Sequence, residues 1–117
     1  MNDNNKLYEI TSNDGSRLAI TMLPDHCVYQ GHFPGNPITP GVMTLRMIRE
    51  CVESMENKPL RYVAVKNCRF AAVIRPNDKL LLDTILQKEN GSIFVKATLT
   101  GTENPEDIRL QLEAELQ

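Results

Sequence analysis

Leu18, Ile20 and Met22 alternate with Arg17, Ala19 and Thr21, the period-two pattern of a strand with one buried face. Val63 and Val65, with the stretch from Cys68 to Phe70, predict a second extended segment, and Lys79 to Gln87 reads as a buried strand. Glu89-Asn90-Gly91 then offers an Asn-Gly hairpin turn, after which Ile93, Val95, Ala97 and Leu99 alternate with Phe94, Lys96, Thr98 and Thr100. The last segment is rich in helix formers. Even so, Ile108, Leu110, Leu112, Ala114 and Leu116 alternate strictly with Arg109, Gln111, Glu113 and Glu115, so periodicity outweighs propensity and predicts a strand.

One stretch has helical spacing instead. Thr39 is expected as N-cap with Pro40 at the first helical position, and the helix should run to about Glu56, ahead of Asn57 and Pro59. Leu45, Ile48, Val52 and Met55 make its apolar stripe, flanked by Thr44 and Cys51, while Arg46, Arg49, Glu50 and Glu53 lie on the opposite arc. One early helix followed by a run of antiparallel strands is an α+β pattern in which a sheet covers the helix. At 117 residues the chain suits one domain, residues 1–117, with residues 1–6 expected to be disordered because nothing apolar anchors them.

The composition, 41% hydrophobic and 24% charged, is that of an ordinary globular protein. No apolar run approaches the roughly 18 residues of a membrane span, and the polar Met1-Asn2-Asp3-Asn4-Asn5 start lacks a signal peptide's apolar region. No membrane partner is therefore expected, and the default location is the cytoplasm. Cys27, Cys51 and Cys68 are odd in number and far apart, which predicts buried or partly buried free thiols rather than a disulfide framework. Although the net charge is −2, the stretch from Lys58 to Lys79 carries six bases (Lys58, Arg61, Lys66, Arg69, Arg75, Lys79) against one acid, Asp78. Such a basic middle either attracts an acidic partner or is a cluster of solvent-facing side chains on a sheet.

Gly31-His32-Phe33-Pro34-Gly35-Asn36-Pro37-Ile38-Thr39-Pro40-Gly41-Val42 places one histidine among three prolines and three glycines, directly before the helix. The first N–H groups of a helix have no intrahelical partner, and Gly41, lacking a side chain, would let a ligand oxygen approach them. With His32 held nearby, the pair suits removal of a proton next to a carbonyl: the N–H groups stabilise enolate charge and the imidazole serves as base. The plainer alternative is a tight Gly/Pro connection with a hydrogen-bonded structural histidine. Other chemistries find little support. There is no phosphate loop, dinucleotide glycine fingerprint or metal-ligand cluster, and no cofactor is indicated. His26 reads as a loop histidine, and an acidic chain with six aromatics argues against nucleic-acid binding.

The Gly31 to Val42 stretch resembles the active-site motif of the bacterial 3-hydroxyacyl-[acyl-carrier-protein] dehydratases, which have the hotdog fold. Cys68-Arg69-Phe70 through Ile74-Arg75-Pro76-Asn77-Asp78-Lys79-Leu80 resembles a second family segment, with Asn77 in place of a glycine. The resemblance covers roughly residues 17 to 100. It implies a long helix wrapped by an antiparallel sheet, a homodimer or an oligomer of dimers, and an acyl tunnel at the subunit interface. It also implies a substrate carried on the phosphopantetheine of acyl carrier protein, an acidic partner for which the six bases would form a docking surface. His32 matches the family's catalytic histidine, and Gly41 the glycine whose N–H binds the thioester carbonyl. Phe33, Pro34, Gly35 and Val42 belong to the substrate-binding loop, and Met43 and Met47 border the apolar face where the tunnel would run.

The chain departs from the family at one telling place. The family carries an Asp or Glu fourteen residues after the histidine, whereas this chain has Arg46, which cannot usefully supply a proton. Three repairs are open. Glu50, one turn further on, either reaches the site or pairs with Arg46. His32 could serve as both base and acid. Alternatively, a hetero-oligomer with an acid-bearing hotdog subunit completes the site. The functional readings are accordingly a dehydratase, a thioesterase on the same fold, and a non-catalytic acyl-carrier-binding partner subunit.

Overall fold

The computed structural model describes residues 6–30 and 35–117. Six strands form one antiparallel sheet: β1 (Tyr8–Asn13), β2 (Arg17–Met22), β3 (Tyr62–Phe70), β4 (Lys79–Glu89), β5 (Ser92–Gly101) and β6 (Asn104–Leu116), in the order β1-β2-β4-β5-β6-β3. A helix, α1 (Gly41–Glu56), packs on one face, which makes the α+β hotdog arrangement.

Period-two sequence becomes one buried face. Leu18 pairs with Leu82, Leu82 with Leu99 and Leu99 with Leu110, so four leucines, all fully buried, run in a row across β2, β4, β5 and β6. Truncating any of them to alanine would cost roughly 2–5 kcal/mol. The β4–β5 hairpin turns on Asn90 and Gly91 at φ 52° and 81°, the pair of left-handed residues that a two-residue turn needs to match strand twist.

Helix α1 differs from the sequence expectation at its start and on its buried face. The N-cap is Pro40, without a side-chain cap bond. Thr39 does not cap because its buried hydroxyl is 2.8 Å from the Tyr29 hydroxyl. The buried stripe is Thr44, Met47, Ile48, Cys51 and Val52, whereas Leu45 and Met55 are only partly buried. The C-terminus ends as expected, with Asn57 in the left-handed region and its N–H on the Glu53 carbonyl. Cys51 is buried and Cys68 partly so, but Cys27 is exposed, contrary to expectation, because it opens a short 3-10 turn (Cys27–Tyr29) with no buried residue.

β1 was not anticipated. Tyr8–Asn13 holds a single aliphatic side chain, Ile10, and five of its six residues are exposed, so an edge strand with one neighbour shows no alternation. Asn77, standing where the resembling family has glycine, sits at φ 70°. Asparagine is among the few other residues that tolerate that region, so the turn survives the replacement.

Candidate active site

His32, Phe33 and Pro34 lie outside the described residues. The segments flanking them converge on the start of α1. On one side, His26 caps the 3-10 turn, its Nδ1 accepting the Val28 N–H at 2.9 Å. On the other, Gly35 takes φ 83°, a backbone that suits glycine. The Tyr29–Thr39 hydroxyl contact joins the two flanks.

A cavity of about 560 Å³ opens on the first turn of α1, lined by Thr39, Gly41, Thr44, Phe70 and the segment Ala71–Ile74. The Phe70 ring lies directly over Gly41: a Cβ built there would stand 2.8 Å from its Cζ and 3.0 Å from its Cε1. Only glycine permits that approach. The N–H groups of Met43 and Thr44 both donate to the Pro40 carbonyl, at 3.0 and 3.2 Å. Those of Gly41 and Val42 precede the first intrahelical bond and have no acceptor among the described residues. A carbonyl oxygen placed there would meet unsatisfied donors beside an otherwise apolar wall.

Arg46 and Glu50 face elsewhere. They line a separate cavity of about 620 Å³ with Tyr8, His26, Met43 and Met47. Arg46 Nε lies 3.2 Å from Glu50 Oε2, and the Tyr8 hydroxyl donates to Glu50 Oε1 at 2.9 Å. Both Glu50 oxygens are thus engaged, and within one subunit neither residue reaches the Gly41 cavity. Burial and the neighbouring Glu50 push the Tyr8 phenol well above its ordinary range, and burial drives the Cys51 thiol up to about 12. Met47 is fully buried and packs in the core as well as bordering this cavity, while Val42 is 74% exposed on the surface.

The six bases are all exposed. Arg61, Lys66 and Arg69 lie on or just before β3, Arg75 and Lys79 at the entry to β4, and Lys58 just past α1, so they fall in separate places rather than on one strand. Lys66 Nζ sits 4.9 Å from the Phe94 ring centre, a cation–π contact. Of the residues lining the Gly41 cavity, the sequence reading named only Gly41 as a site residue; Thr39, Thr44, Phe70 and Ala71–Ile74 escaped it in that role. Thr44 is a polar residue on a buried helix face, which was the available clue. Tyr8, lying in an unrecognised strand, gave none.

A family model for the ApeI-like dehydratases, described as ApeI dehydratase, matches residues 9–105. The chain belongs to that family. It is 31% identical to the 3-hydroxyacyl-[acyl-carrier-protein] dehydratase FabZ of Syntrophobacter fumaroxidans, over 95% of this chain and 78% of the relative. It is 39% identical to FabZ of Fusobacterium nucleatum over 60% of this chain and 52% of the relative. The chain spans only about half the length of several dehydratases it matches. Among solved structures, the Dehydratase Heterocomplex ApeI:P from Xenorhabdus doucetiae shares the fold at a TM-score of 0.64 and 17% identity, covering 93% of this chain and 92% of that one. Among the described residues no helix is long and apolar enough to cross a membrane.

Proposed function

We propose that this chain is a cytoplasmic dehydratase subunit that removes water from 3-hydroxyacyl thioesters. The substrate is carried on the phosphopantetheine of acyl carrier protein, and the product is the trans-2-enoyl thioester of fatty acid or related lipid or polyene biosynthesis. The observation that carries this reading is the apolar cavity meeting the unsatisfied N–H of Gly41 under Phe70. The thioester carbonyl oxygen sits at that N–H, with the acyl chain along Phe70 and Ala71–Ile74. His32 takes the α-proton and the electron pair moves onto the carbonyl oxygen, whose charge the amide stabilises. A single such donor is worth about 10²–10³ in rate. The electrons then return to form the Cα–Cβ double bond and the 3-hydroxyl leaves as water, its extra proton supplied by an acid.

The identity of that acid distinguishes this chain. Arg46 holds no transferable proton, and Glu50 is tied to Arg46 and Tyr8. The proton therefore comes from the His32 imidazolium or from an Asp or Glu of a second hotdog subunit. Arg46, with 61% of its side chain exposed, also favours a second reading, in which the chain is a non-catalytic partner that binds acyl carrier protein. Subunits would associate through β3, an edge strand on which Val63 and Val65 are each 47% exposed. The bases along β3 and at the β4 entry are the proposed contact for the acidic carrier.

The test is incubation with 3-hydroxyacyl carrier protein, alone and with an acid-bearing hotdog partner, following products by mass. A loss of 18 mass units with the thioester intact, abolished by His32→Ala, supports the proposal. A freed carrier thiol indicates a thioesterase. No turnover in any combination, with carrier binding retained, favours the partner reading.

A further inference from the structure

The wall of the Gly41 cavity, Ala71–Ile74, belongs to no strand or helix. What holds it is one residue on β6. Arg109 accepts the N–H groups of Ala71 and Ala72 at its own carbonyl, at 2.9 and 3.3 Å. Its guanidinium Nη1 donates to the Val73 carbonyl at 3.0 Å and to Asp78 Oδ2 at 2.7 Å. The other edge of the fork is gripped by Asp107, with Nε on Oδ1 and Nη2 on Oδ2, both at 2.9 Å. Asp107 in turn fits against Gly101, where any Cβ would collide with its carboxylate. The restraint reaches the helix, because Ile74, next to Val73, accepts the Thr39 N–H at 2.7 Å two residues before Gly41. Arg109 is only 17% exposed, and its planar five-donor fork makes all four of these side-chain bonds at once, one more than the three donors of a lysine ammonium allow.

We infer that Arg109 is a positioning residue for the acyl site: by clamping Val73 and Asp78 it fixes the apolar wall opposite Gly41 and thereby sets how tightly the acyl chain is gripped. The inference rests on the reading of this cavity as the acyl site. Asp107 and Asp78 are as essential to the device as Arg109, since they orient the fork; of the fork's own bonds only that to Val73 touches the wall, beside the main-chain bonds from Ala71 and Ala72 to the Arg109 carbonyl. The Arg109–Asp107 pair also holds the Asp107 carboxyl below the usual carboxylate range, as a persistent contact would.

Calorimetric binding of pantetheine, butyryl-pantetheine and octanoyl-pantetheine, none of which can be dehydrated, separates grip from turnover. Burying a methylene is worth roughly fourfold in affinity (about 0.8 kcal/mol), so the native chain should bind octanoyl-pantetheine far more tightly than butyryl-pantetheine. Arg109→Lys keeps charge on Asp78 but not the fork, and should cut the gain to about twofold per methylene; Arg109→Met should cut it further. Affinity for pantetheine itself should not change. Hydrogen exchange should be about fivefold faster for residues 71–78 and unchanged for β5. A native chain with no chain-length gain would refute the acyl-site reading. An undiminished gain in both folded variants, with exchange of 71–78 unaltered, would refute the role of Arg109 alone. A loss shared equally by pantetheine and β5 exchange would mean a merely structural effect and would also overturn it.

Discussion

Replacing Gly41 by alanine separates the demands of folding from those of the proposed chemistry. The added Cβ would stand 2.8 Å from Phe70 Cζ, and an ordinary carbon–carbon contact is about 3.5 Å, so the ring must retreat by about 0.7 Å. Phe70 is 53% exposed, so its ring can swing toward solvent at little cost. Against that stands the gain of about 0.4–1 kcal/mol that alanine brings over glycine where the backbone is compatible, as it is at this helical position. The net change in stability is therefore within about 1 kcal/mol, or roughly 5 °C in melting temperature. Catalysis should respond quite differently. A methyl beside the amide blocks the oxygen's approach and displaces the wall above it, equivalent to losing one oxyanion donor, about 10²–10³ in turnover. Thermal melting by circular dichroism and turnover by mass measure the two effects on one sample. A variant with full activity would refute the amide as the carbonyl site, and a melt lowered by much more than about 10 °C would refute the claim that Phe70 can give way.

Arg46→Glu removes the Arg46–Glu50 pair and sets two carboxyls one turn apart, an arrangement in which one holds its proton more readily; dehydration by the chain alone should rise at least tenfold, and no gain would count against a missing acid as the limiting defect. The Cys51 thiol and the Tyr62 phenol, each pushed up to about 12 by burial from ordinary values near 9 and 10, remain protonated in the fold while their unfolded counterparts ionise first. Their contribution to stability is thus complete below about pH 9 and is lost as pH rises toward 12. Urea unfolding at pH 8 and 10.5 should show the decline, with a shallower slope in Cys51→Ala. Val65→Lys on the exposed β3 edge should leave the subunit's own packing within about 0.5 kcal/mol while shifting light scattering from dimer to monomer; an unchanged mass would place the interface elsewhere.

Much of the sheet could be read from the chain because each inner strand, β2, β4, β5 and β6, has a neighbour on both sides and one face on the core, and so repeats every second residue. The edges obey weaker rules. Tyr8–Asn13 is nearly all polar, and nothing in its pattern demanded a partner. At the helix start, Thr39 and Pro40 fit the local rule for capping, but a tertiary contact with Tyr29 claimed the threonine hydroxyl. Local chemistry pointed to Gly41, and the Arg46–Glu50 pair followed from i,i+4 spacing. The cavity itself did not. Phe70 stands 29 residues after Gly41, Arg109 is further still, and only the fold brings their segments together. Met47 looked like a border residue because its position was judged on an assumed stripe, and the real stripe is rotated toward it by the sheet's placement.

The two rims of the sheet are not alike. β1 ends in the polar run Thr11, Ser12 and Asn13, which gives a second sheet little apolar surface to cover. β3 presents valines to solvent at the opposite rim. If subunits associate through β3 as proposed, a sheet with one receptive rim joins a second sheet once, and strand-to-strand association would close at a twofold pair rather than propagate into a filament. On that proposal, assemblies would be mutually exclusive: a different hotdog chain seated on the β3 rim would take the place of an identical one, and relative abundance of the two chains would govern which composition forms.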